Sequence, residues 1–528
     1  MAQRMGEINF LAMKKPRRNS LFAIIFLLLL LFPFLILFKD FFHPKDLINI
    51  MNPQTLRILG FTFYQSLLST AISFLITLLP SYFAAQNKGI TAKFLENSIF
   101  IPFFFPPVSA VIAFSLLYSQ IGLLAKIGIN INIMFTFTAI IVAHVFYNSP
   151  IFIKYISEGL RRIPESLKES AYVEGAGKVK TFFYIELPLI LPSISRAFFL
   201  VFAYNFTSFA IVLNLGGIKY STLEVAIATT LRGTLDFSKA LSYALIQFVI
   251  LTLINIFMSK FEPHIFEYYE SEYSIHKKTG KISFIFSIIY LIFEYSLVLI
   301  GIASSFFNFI TMKFDLKGFI NLFSKDLNIR FPVIQSIFNS FLVSAITGML
   351  AIIAAYLLLK KCNKIVNIVI MSTFGISSAF LGMALLYLNI LYNIPFFILI
   401  IFGYFLISVP LAYSFLFQPI LSFDEKIIEA AKVDGANKLK IFTKIELPLL
   451  FSAFLSSFLQ IFAIIYGEFT ISYTMQIRDY FPLASIVNYS LSSSRFYQEA
   501  TAFSGLNVII IFITFYLSTL LSNKNIYD

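Results

Sequence analysis

The sequence predicts an all-α, polytopic membrane protein with about twelve transmembrane helices in two tandem six-helix bundles. Hydrophobic residues make up 58% of the chain and charged residues 13%, and the mean hydropathy is +0.84. This composition excludes an ordinary water-soluble domain. Apolar runs of about 20 residues, enough to cross roughly 30 Å of hydrocarbon, recur along the chain. A polar segment between them occurs twice, which indicates an internal duplication.

The apolar runs fall into two sets of six candidate spans. The first set lies near 20–38, 59–86, 99–119, 133–155, 194–215 and 240–259. The second set lies near 282–305, 333–359, 366–389, 395–418, 450–475 and 502–522. The first run lacks a small-residue cleavage pattern, so we expect it to remain as an uncleaved span.

Basic residues predict the orientation, because lysine and arginine gather in short cytoplasmic loops. The N-terminal cluster of Lys14, Lys15, Arg17 and Arg18 starts the chain inside. Twelve spans then place about 27 of the 40 basic residues on the cytoplasmic side. We therefore expect a multi-pass membrane protein with both termini in the cytoplasm. The net charge of +13 is explained by this topology and by anionic lipid, so no nucleic acid partner is expected.

The repeated polar segment comprises copy 1, Glu169–Pro188, and copy 2, Glu429–Pro448. The copies are identical at 12 of 20 positions at a constant offset of 260 residues. We predict a first half at 1–260, a cytoplasmic linker at 261–281 and a second half at 282–528, with the repeated loops at 165–192 and 425–452. Both copies are expected in cytoplasmic loops, as a short helix, a turn at glycine and a second short helix that ends at Leu-Pro.

Copy 2 resembles the EAA loop of permease subunits from binding-protein-dependent ABC importers. Glu429, Ala430, Ala431, Gly435, Leu447 and Pro448 fit that motif. In copy 1, the residues that fit are Glu169, Ala171, Gly175, Leu187 and Pro188, and Ser170 replaces the first alanine. A simple interfacial loop retained after duplication is the plainer alternative. It does not explain why the Glu, Ala, Gly and Leu-Pro positions are retained together.

The resemblance implies a fused, two-half permease in which each copy docks into a cytoplasmic ABC ATPase homodimer. An extracytoplasmic solute-binding protein would deliver the small-molecule or ion substrate through the lipid bilayer. ATP hydrolysis is expected on the separate ATPase, since Gly175-Ala176-Gly177-Lys178 lacks the spacing and hydroxyl residue of a phosphate loop. The sequence suggests no catalytic, metal or cofactor site.

Polar residues inside the predicted spans are the candidates for the translocation path, because ionisable groups are costly in hydrocarbon. The candidates are His144, Tyr147, Asn148, Asn205, Thr207, Ser208, Tyr466 and Glu468. Helix packing is the alternative role for each of them, and it is the favoured one for His144. Glu468 could instead lie near the outer interface.

The cargo is left open between members of one importer group. Fusion of two permease halves is typical of the iron(III) and thiamine importers, and the stretch from Ala143 to Pro150 looks like the fourth span of thiamine-type permeases. We favour thiamine or a related organic cation, with iron(III) as the alternative. An ion-gradient-driven secondary transporter is a rival from another class. It would have no use for paired docking loops.

Overall fold

The computed structural model describes residues 21–98, 105–120, 122–217, 219–259, 280–308, 311, 313–360, 370, 377–421, 423 and 425–524. Helix dominates these residues, which confirms the predicted all-α class. Among them, the strands form one short antiparallel hairpin that pairs Phe307–Asn308 with Lys313–Phe314. The start of the predicted third span, most of the linker at 261–281 and the start of the predicted ninth span lie outside the described residues.

Helices of the first half are numbered in chain order. They are α1 (Leu21–Phe41), α2 (Pro44–Asn49), α3 (Pro53–Gln86), α4 (Ile90–Asn97), α5 (Pro107–Tyr118), α6 (Leu123–Lys126), α7 (Phe137–Arg161), α8 (Glu165–Val173), α9 (Lys178–Thr181), α10 (Leu187–Phe206), α11 (Ala210–Leu215), α12 (Leu223–Thr234) and α13 (Phe237–Ser259). A π-helical turn, Phe182–Glu186, joins α9 to α10.

The numbering continues through the second half. Its helices are α14 (Lys281–Ala303), α15 (Lys317–Leu322), α16 (Lys325–Arg330), α17 (Val333–Leu359), α18 (Ser378–Tyr392), α19 (Phe396–Leu421), α20 (Glu425–Val433), α21 (Lys438–Ile441), α22 (Leu447–Tyr466), α23 (Thr470–Thr474), α24 (Ala484–Ser493) and α25 (Tyr497–Lys524). A second π-helical turn, Phe442–Glu446, joins α21 to α22.

Within the described residues, ten helical segments are long and apolar enough to cross a membrane. They correspond to ten of the twelve predicted spans. The predicted ninth span coincides in part with α18, a shorter apolar helix of 15 residues. The predicted twelfth span coincides with the 28-residue helix α25. The chain is therefore a multi-pass membrane protein.

The predicted fifth and eleventh spans, 194–215 and 450–475, are each interrupted by a short break in the helix. α10 stops at Phe206 and α11 starts at Ala210, whereas α22 stops at Tyr466 and α23 starts at Thr470. The two breaks, at 207–209 and 467–469, lie 260 residues apart. Hydropathy did not reveal them, because each break is only three residues long within an apolar run. Non-helical backbone at membrane depth requires shelter inside the protein.

One packing unit combines His43–Val333 with Ser485–Ile509. In it, α3 packs against α7 and α10, and α14 packs against α3 and α5. The Ser149 hydroxyl on α7 lies 2.9 Å from the Tyr290 hydroxyl on α14. The seventh span therefore packs with helices of the first half.

The other packing unit combines Met1–Phe42 with Ile334–Ala484 and Ile510–Asp528. Here α1 packs against α18, and the Tyr387 hydroxyl donates to the Asp40 carboxylate over 2.8 Å. α19 packs against α22 in the same unit. The first span thus packs with helices of the second half. The halves predicted from the sequence divide the chain by its internal repeat, whereas each packing unit contains segments of both halves.

Candidate functional site

The two copies of the repeated segment have the same backbone course. α8 and α20 have nine residues each, α9 and α21 have four, and each π-helical turn has five. Every boundary in copy 2 lies 260 residues after its counterpart in copy 1. The identical residues therefore specify one local structure in two places.

Each first helix ends in a turn of the Schellman type. Gly175 and Gly435 have φ values of +84° and +76°, a region that favours glycine. The Ala176 N–H donates to the Ala171 carbonyl over 2.9 Å, and the Ala436 N–H donates to the Ala431 carbonyl over 2.9 Å. This geometry confirms the predicted turn at glycine and fixes the angle between the two helical pieces.

The expectation that Leu187-Pro188 and Leu447-Pro448 end the second piece is wrong. Both prolines lie in the first turn of a long helix, α10 or α22, where a missing N–H is tolerated. A π-helical hydrogen bond precedes each proline, from the Leu187 N–H to the Phe182 carbonyl and from the Leu447 N–H to the Phe442 carbonyl. The loop consequently runs into the fifth or eleventh span without interruption.

Exposure divides each copy into a buried and an open side. Ala171 and Ala431 are 7% and 9% exposed, whereas Val173 and Val433 are each 87% exposed. The other motif residues that lie on the open side are Glu169, Gly175, Pro188, Glu429, Ala430, Gly435 and Pro448. Leu187 and Leu447 are half-buried. Each copy thus holds an apolar tip and a glutamate at its surface.

The break after α10 contains Ser208, and His144 on α7 contacts it. His144 is fully buried, with Nε2 at 2.8 Å from the Ser208 hydroxyl and Nδ1 at 3.2 Å from the Ser69 hydroxyl on α3. The ring therefore joins the broken helix to two neighbouring helices. This placement fits a polar packing role and also puts the ring at the break.

A buried amide network lies next to this histidine. The Asn148 side-chain amide donates to the Asn205 side-chain oxygen over 2.7 Å, and Asn205 donates to the Thr70 hydroxyl over 3.1 Å. Gln65 donates to the Asn205 carbonyl over 2.8 Å. α10 is thus fastened to α3 and α7 in its last turn, next to the break.

A cavity of about 190 Å³ opens at this network. The residues that line it are His144, Tyr147, Asn148, Ile151, Tyr204, Ser208 and Ile211. The Tyr147 hydroxyl donates to the Phe105 carbonyl over 2.8 Å. Thr207 is not among the lining residues, and its hydroxyl donates to the Ala203 carbonyl of its own helix over 3.0 Å. Four predicted path residues therefore share one cavity, and Asn205 hydrogen-bonds to one of them, Asn148.

The second break, in the other packing unit, contains Glu468. One carboxylate oxygen accepts the Ile471 N–H over 3.0 Å, which caps α23. The Tyr404 hydroxyl hydrogen-bonds to the Ser472 hydroxyl and interacts electrostatically with Glu468. Tyr466, the last residue of α22, is 2% exposed and stacks on Phe462. Glu468 is thus a half-buried acid at a helix break.

Sequence reasoning missed several residues of this site. Ser69, Thr70 and Tyr404 have ordinary polar side chains in apolar runs, and nothing marked them. Gln65 stood in a stretch that matches Asn339 of the second half, which was an available signal. Among the described residues, no group of three or more His, Cys, Asp or Glu side chains could hold a metal ion.

Comparison with known proteins gives two matches to one family. Its description is binding-protein-dependent transport system inner membrane component, and the matched residues are 76–267 and 347–527. The double match confirms the interpretation of a fused, two-half permease. It also confirms that the chain is a transport subunit and not an enzyme.

Individual relatives share between a quarter and a third of their residues with the chain. A probable transport system permease protein, NifC of Clostridium pasteurianum, is 27% identical over 264 residues, which are 48% of this chain and 91% of NifC. The thiamine transport system permease protein ThiP of Haemophilus influenzae is 29% identical over 210 residues, 38% of each chain. A probable sulfate transport system permease protein of Marchantia polymorpha is 26% identical over 165 residues, 30% of this chain and 57% of the relative.

The duplicated loops, the helical membrane architecture and the double family match agree with one another. The chain belongs to the inner membrane components of binding-protein-dependent transport systems, the permease subunits of ABC importers.

Proposed function

We propose that this chain carries a solute across a prokaryotic cytoplasmic membrane, with both termini in the cytoplasm. A cytoplasmic ABC ATPase homodimer drives it, and an extracytoplasmic binding protein delivers the solute. Copies 1 and 2 are the docking elements for the two ATPase protomers. The observation that carries this proposal is the identical backbone course of the copies, because a symmetric partner needs two equivalent surfaces.

The geometry of each copy supports a coupling role. The exposed apolar tips at Val173 and Val433 suit burial in a cleft of a partner. The loop continues through the π-helical turn into α10 or α22, and these helices lead to the breaks at Ser208 and Glu468. Movement of a docked loop would thus reach the breaks along a single helix. Closure of the ATPase dimer on ATP would then shift the bundles between two conformations.

For the cargo, we propose thiamine or a related organic cation. The carboxylate of Glu468, half-buried at the break of the eleventh span, would offer a negative charge to a cation. Fusion of two halves and the similarity to ThiP of Haemophilus influenzae support the same choice. An iron(III) permease of the same importer group is the alternative that fusion also fits.

Transport by the reconstituted complex tests both levels of the proposal. The chain, its ATPase and its binding protein are placed in liposomes, and uptake of labelled thiamine, iron(III) and sulfate is compared with and without ATP. We expect ATP-dependent thiamine uptake that requires both partners. Uptake without the ATPase would overturn the importer mechanism, and ATP-dependent uptake of iron(III) or sulfate alone would overturn only the cargo.

A further inference from the structure

The glutamate of the repeated Ile-Glu-Leu-Pro element is buried in both copies. Glu186 is 4% exposed and Glu446 is 2% exposed, and they occupy equivalent positions. A carboxylate in such a place requires a cation and hydrogen-bond donors nearby. The two copies obtain these from different parts of the chain.

Copy 1 neutralises Glu186 from within its own loop. Lys168 Nζ on α8 lies 3.4 Å from a Glu186 carboxylate oxygen and 3.7 Å from one of Glu165. The lysine side chain is only 13% exposed. The ion pair therefore fastens the docking helix α8 to the π-helical turn that leads into α10.

Copy 2 neutralises Glu446 from the neighbouring membrane span. Lys360, directly after α17, forms a salt bridge with Glu446, and the Tyr356 hydroxyl on α17 donates to the same carboxylate. A cation at the C-terminus of α17 also complements the helix dipole. The ion pair here fastens the π-helical turn to the end of the eighth span.

The lysine that pairs with the buried glutamate lies at a different position in each half. Ile428, one residue before copy 2, corresponds to Lys168, one residue before copy 1, and Gln86 at the end of α3 corresponds to Lys360 after α17. The aromatic contact is kept in both halves, because Tyr82 packs on Phe182 and Tyr356 packs on Phe442. Each half thus retains one lysine for one buried glutamate, and only the element that carries it differs.

We propose that Lys168 and Lys360 are positioning residues that connect the two coupling loops to different parts of the transporter. Copy 1 is a rigid lever in which α8 and α10 move as one body. Copy 2 is linked to α17, so the eighth span follows its movement directly. The proposal rests on the proposed function, since it assigns a mechanical role to loops that dock on an ATPase.

Charge transplants between the halves test this assignment. Lys360→Gln with Ile428→Lys gives copy 2 the arrangement of copy 1, and Lys168→Ile with Gln86→Lys does the reverse. Both double variants keep one lysine for each glutamate and use residues that the other half already tolerates. We expect each to lower the number of solute molecules transported per ATP hydrolysed by about tenfold, which corresponds to a loss of about 1.4 kcal/mol of coupling free energy. Wild-type coupling in both would overturn the proposal.

A neutral pair keeps the test decisive if a transplant fails to assemble. Lys360→Met with Glu446→Gln removes both charges, retains the acceptor for Tyr356 and leaves no unpaired buried ion. We expect this variant to co-purify with the ATPase and to hydrolyse ATP with reduced transport. Transport per ATP equal to that of the wild type would show that the pair only satisfies burial, and would overturn the proposal.

The matched control is Lys88→Gln, which removes an exposed lysine close to the end of α3. It should transport normally. The wild-type complex separates the two levels of inference, because absent ATP-dependent uptake in the wild type refutes the proposed function itself. Normal uptake in the wild type and in every variant refutes only the connection through Lys168 and Lys360.

Discussion

His144 Nε2 lies 2.8 Å from the Ser208 hydroxyl, and the equivalent residues 260 positions later, Tyr404 and Glu468, interact electrostatically. In both halves, a ring on the fourth or tenth span thus holds the residue at the centre of a broken helix. The chemistry differs, because the residue in the first break is a serine and the equivalent residue in the second break is a glutamate. The two breaks are therefore equivalent in backbone and differ in side-chain chemistry.

Removal of the carboxylate at the second break should weaken transport of a cation. Glu468→Gln keeps the oxygen that accepts the Ile471 N–H, so α23 remains capped. We predict a KM for the thiamine-loaded binding protein about tenfold higher, equivalent to roughly 1.4 kcal/mol. Initial uptake rates over a range of concentrations of the loaded binding protein measure this KM. Ser208→Ala, at the equivalent position, is the control and should change the KM less. An unaltered KM in Glu468→Gln would argue for a purely structural acid.

Loss of Asn205 should destabilise the packing unit that contains it. Asn205→Leu leaves the Asn148 amide without its present partner, at a cost of about 1–3 kcal/mol for an unsatisfied buried group, whereas the Thr70 hydroxyl keeps its bond to the Ser66 carbonyl. We predict a clearly lower unfolding temperature in detergent, measured by thermal denaturation. Asn214→Ala removes a half-buried amide that bonds only one turn back, to the Ala210 carbonyl, and should have a smaller effect. Equal stability of both variants would contradict the prediction.

The two loop glycines should be intolerant of a side chain for conformational reasons. No atom lies within 4 Å of a Cβ built on Gly175 or Gly435, yet both have positive φ. Alanine in this region costs about 1–2 kcal/mol. We predict that Gly175→Ala and Gly435→Ala each weaken ATPase binding by about tenfold, as measured by co-purification or titration. Gly177→Ala, in the same loop with open space and without positive φ, is the control. Comparable losses in all three would point to crowding rather than backbone strain.

Both loops should be accessible from the same side of the membrane. Single cysteines at Val173 or Val433, each 87% exposed, are introduced after replacement of Cys362 by serine. We predict labelling by a membrane-impermeant maleimide in inside-out vesicles and little in right-side-out cells. Ile48→Cys, 75% exposed in the loop after the first span, should give the opposite pattern. Labelling of the two loop cysteines from opposite sides would exclude two equivalent docking surfaces.

Features repeated along the chain were predictable, because repetition identifies them without any knowledge of packing. The turn at Gly175 and Gly435 follows from glycine chemistry, and the spans follow from the length of apolar runs. The π-helical turns were not predictable, since hydropathy carries no information on which carbonyl receives a given N–H. Leu-Pro was therefore misinterpreted as a helix end.

The polar contacts within the spans were only partly predictable. His144 and Asn148 stood out as polar residues in an apolar stretch, but their partners Ser69 and Asn205 lie 75 and 57 residues away in the sequence. The side-chain pairing of distant helices depends on their rotation about their own axes, which a single sequence does not specify. The pairing of Lys168 with Glu186 and of Lys360 with Glu446 was not predictable for the same reason.

The packing of α1 with α18, and of α14 with α3 and α5, bears on how this polypeptide can be assembled. If translation stopped near residue 270, the released fragment would contain α1 but not α18, the helix against which α1 packs. It would also lack α14, which covers α3. Each fragment of a chain cut there would lack helices that its own packing units need. Co-expression of the two fragments should therefore restore transport, whereas mixing of separately purified fragments should not. A single gene for both pieces guarantees their equal supply.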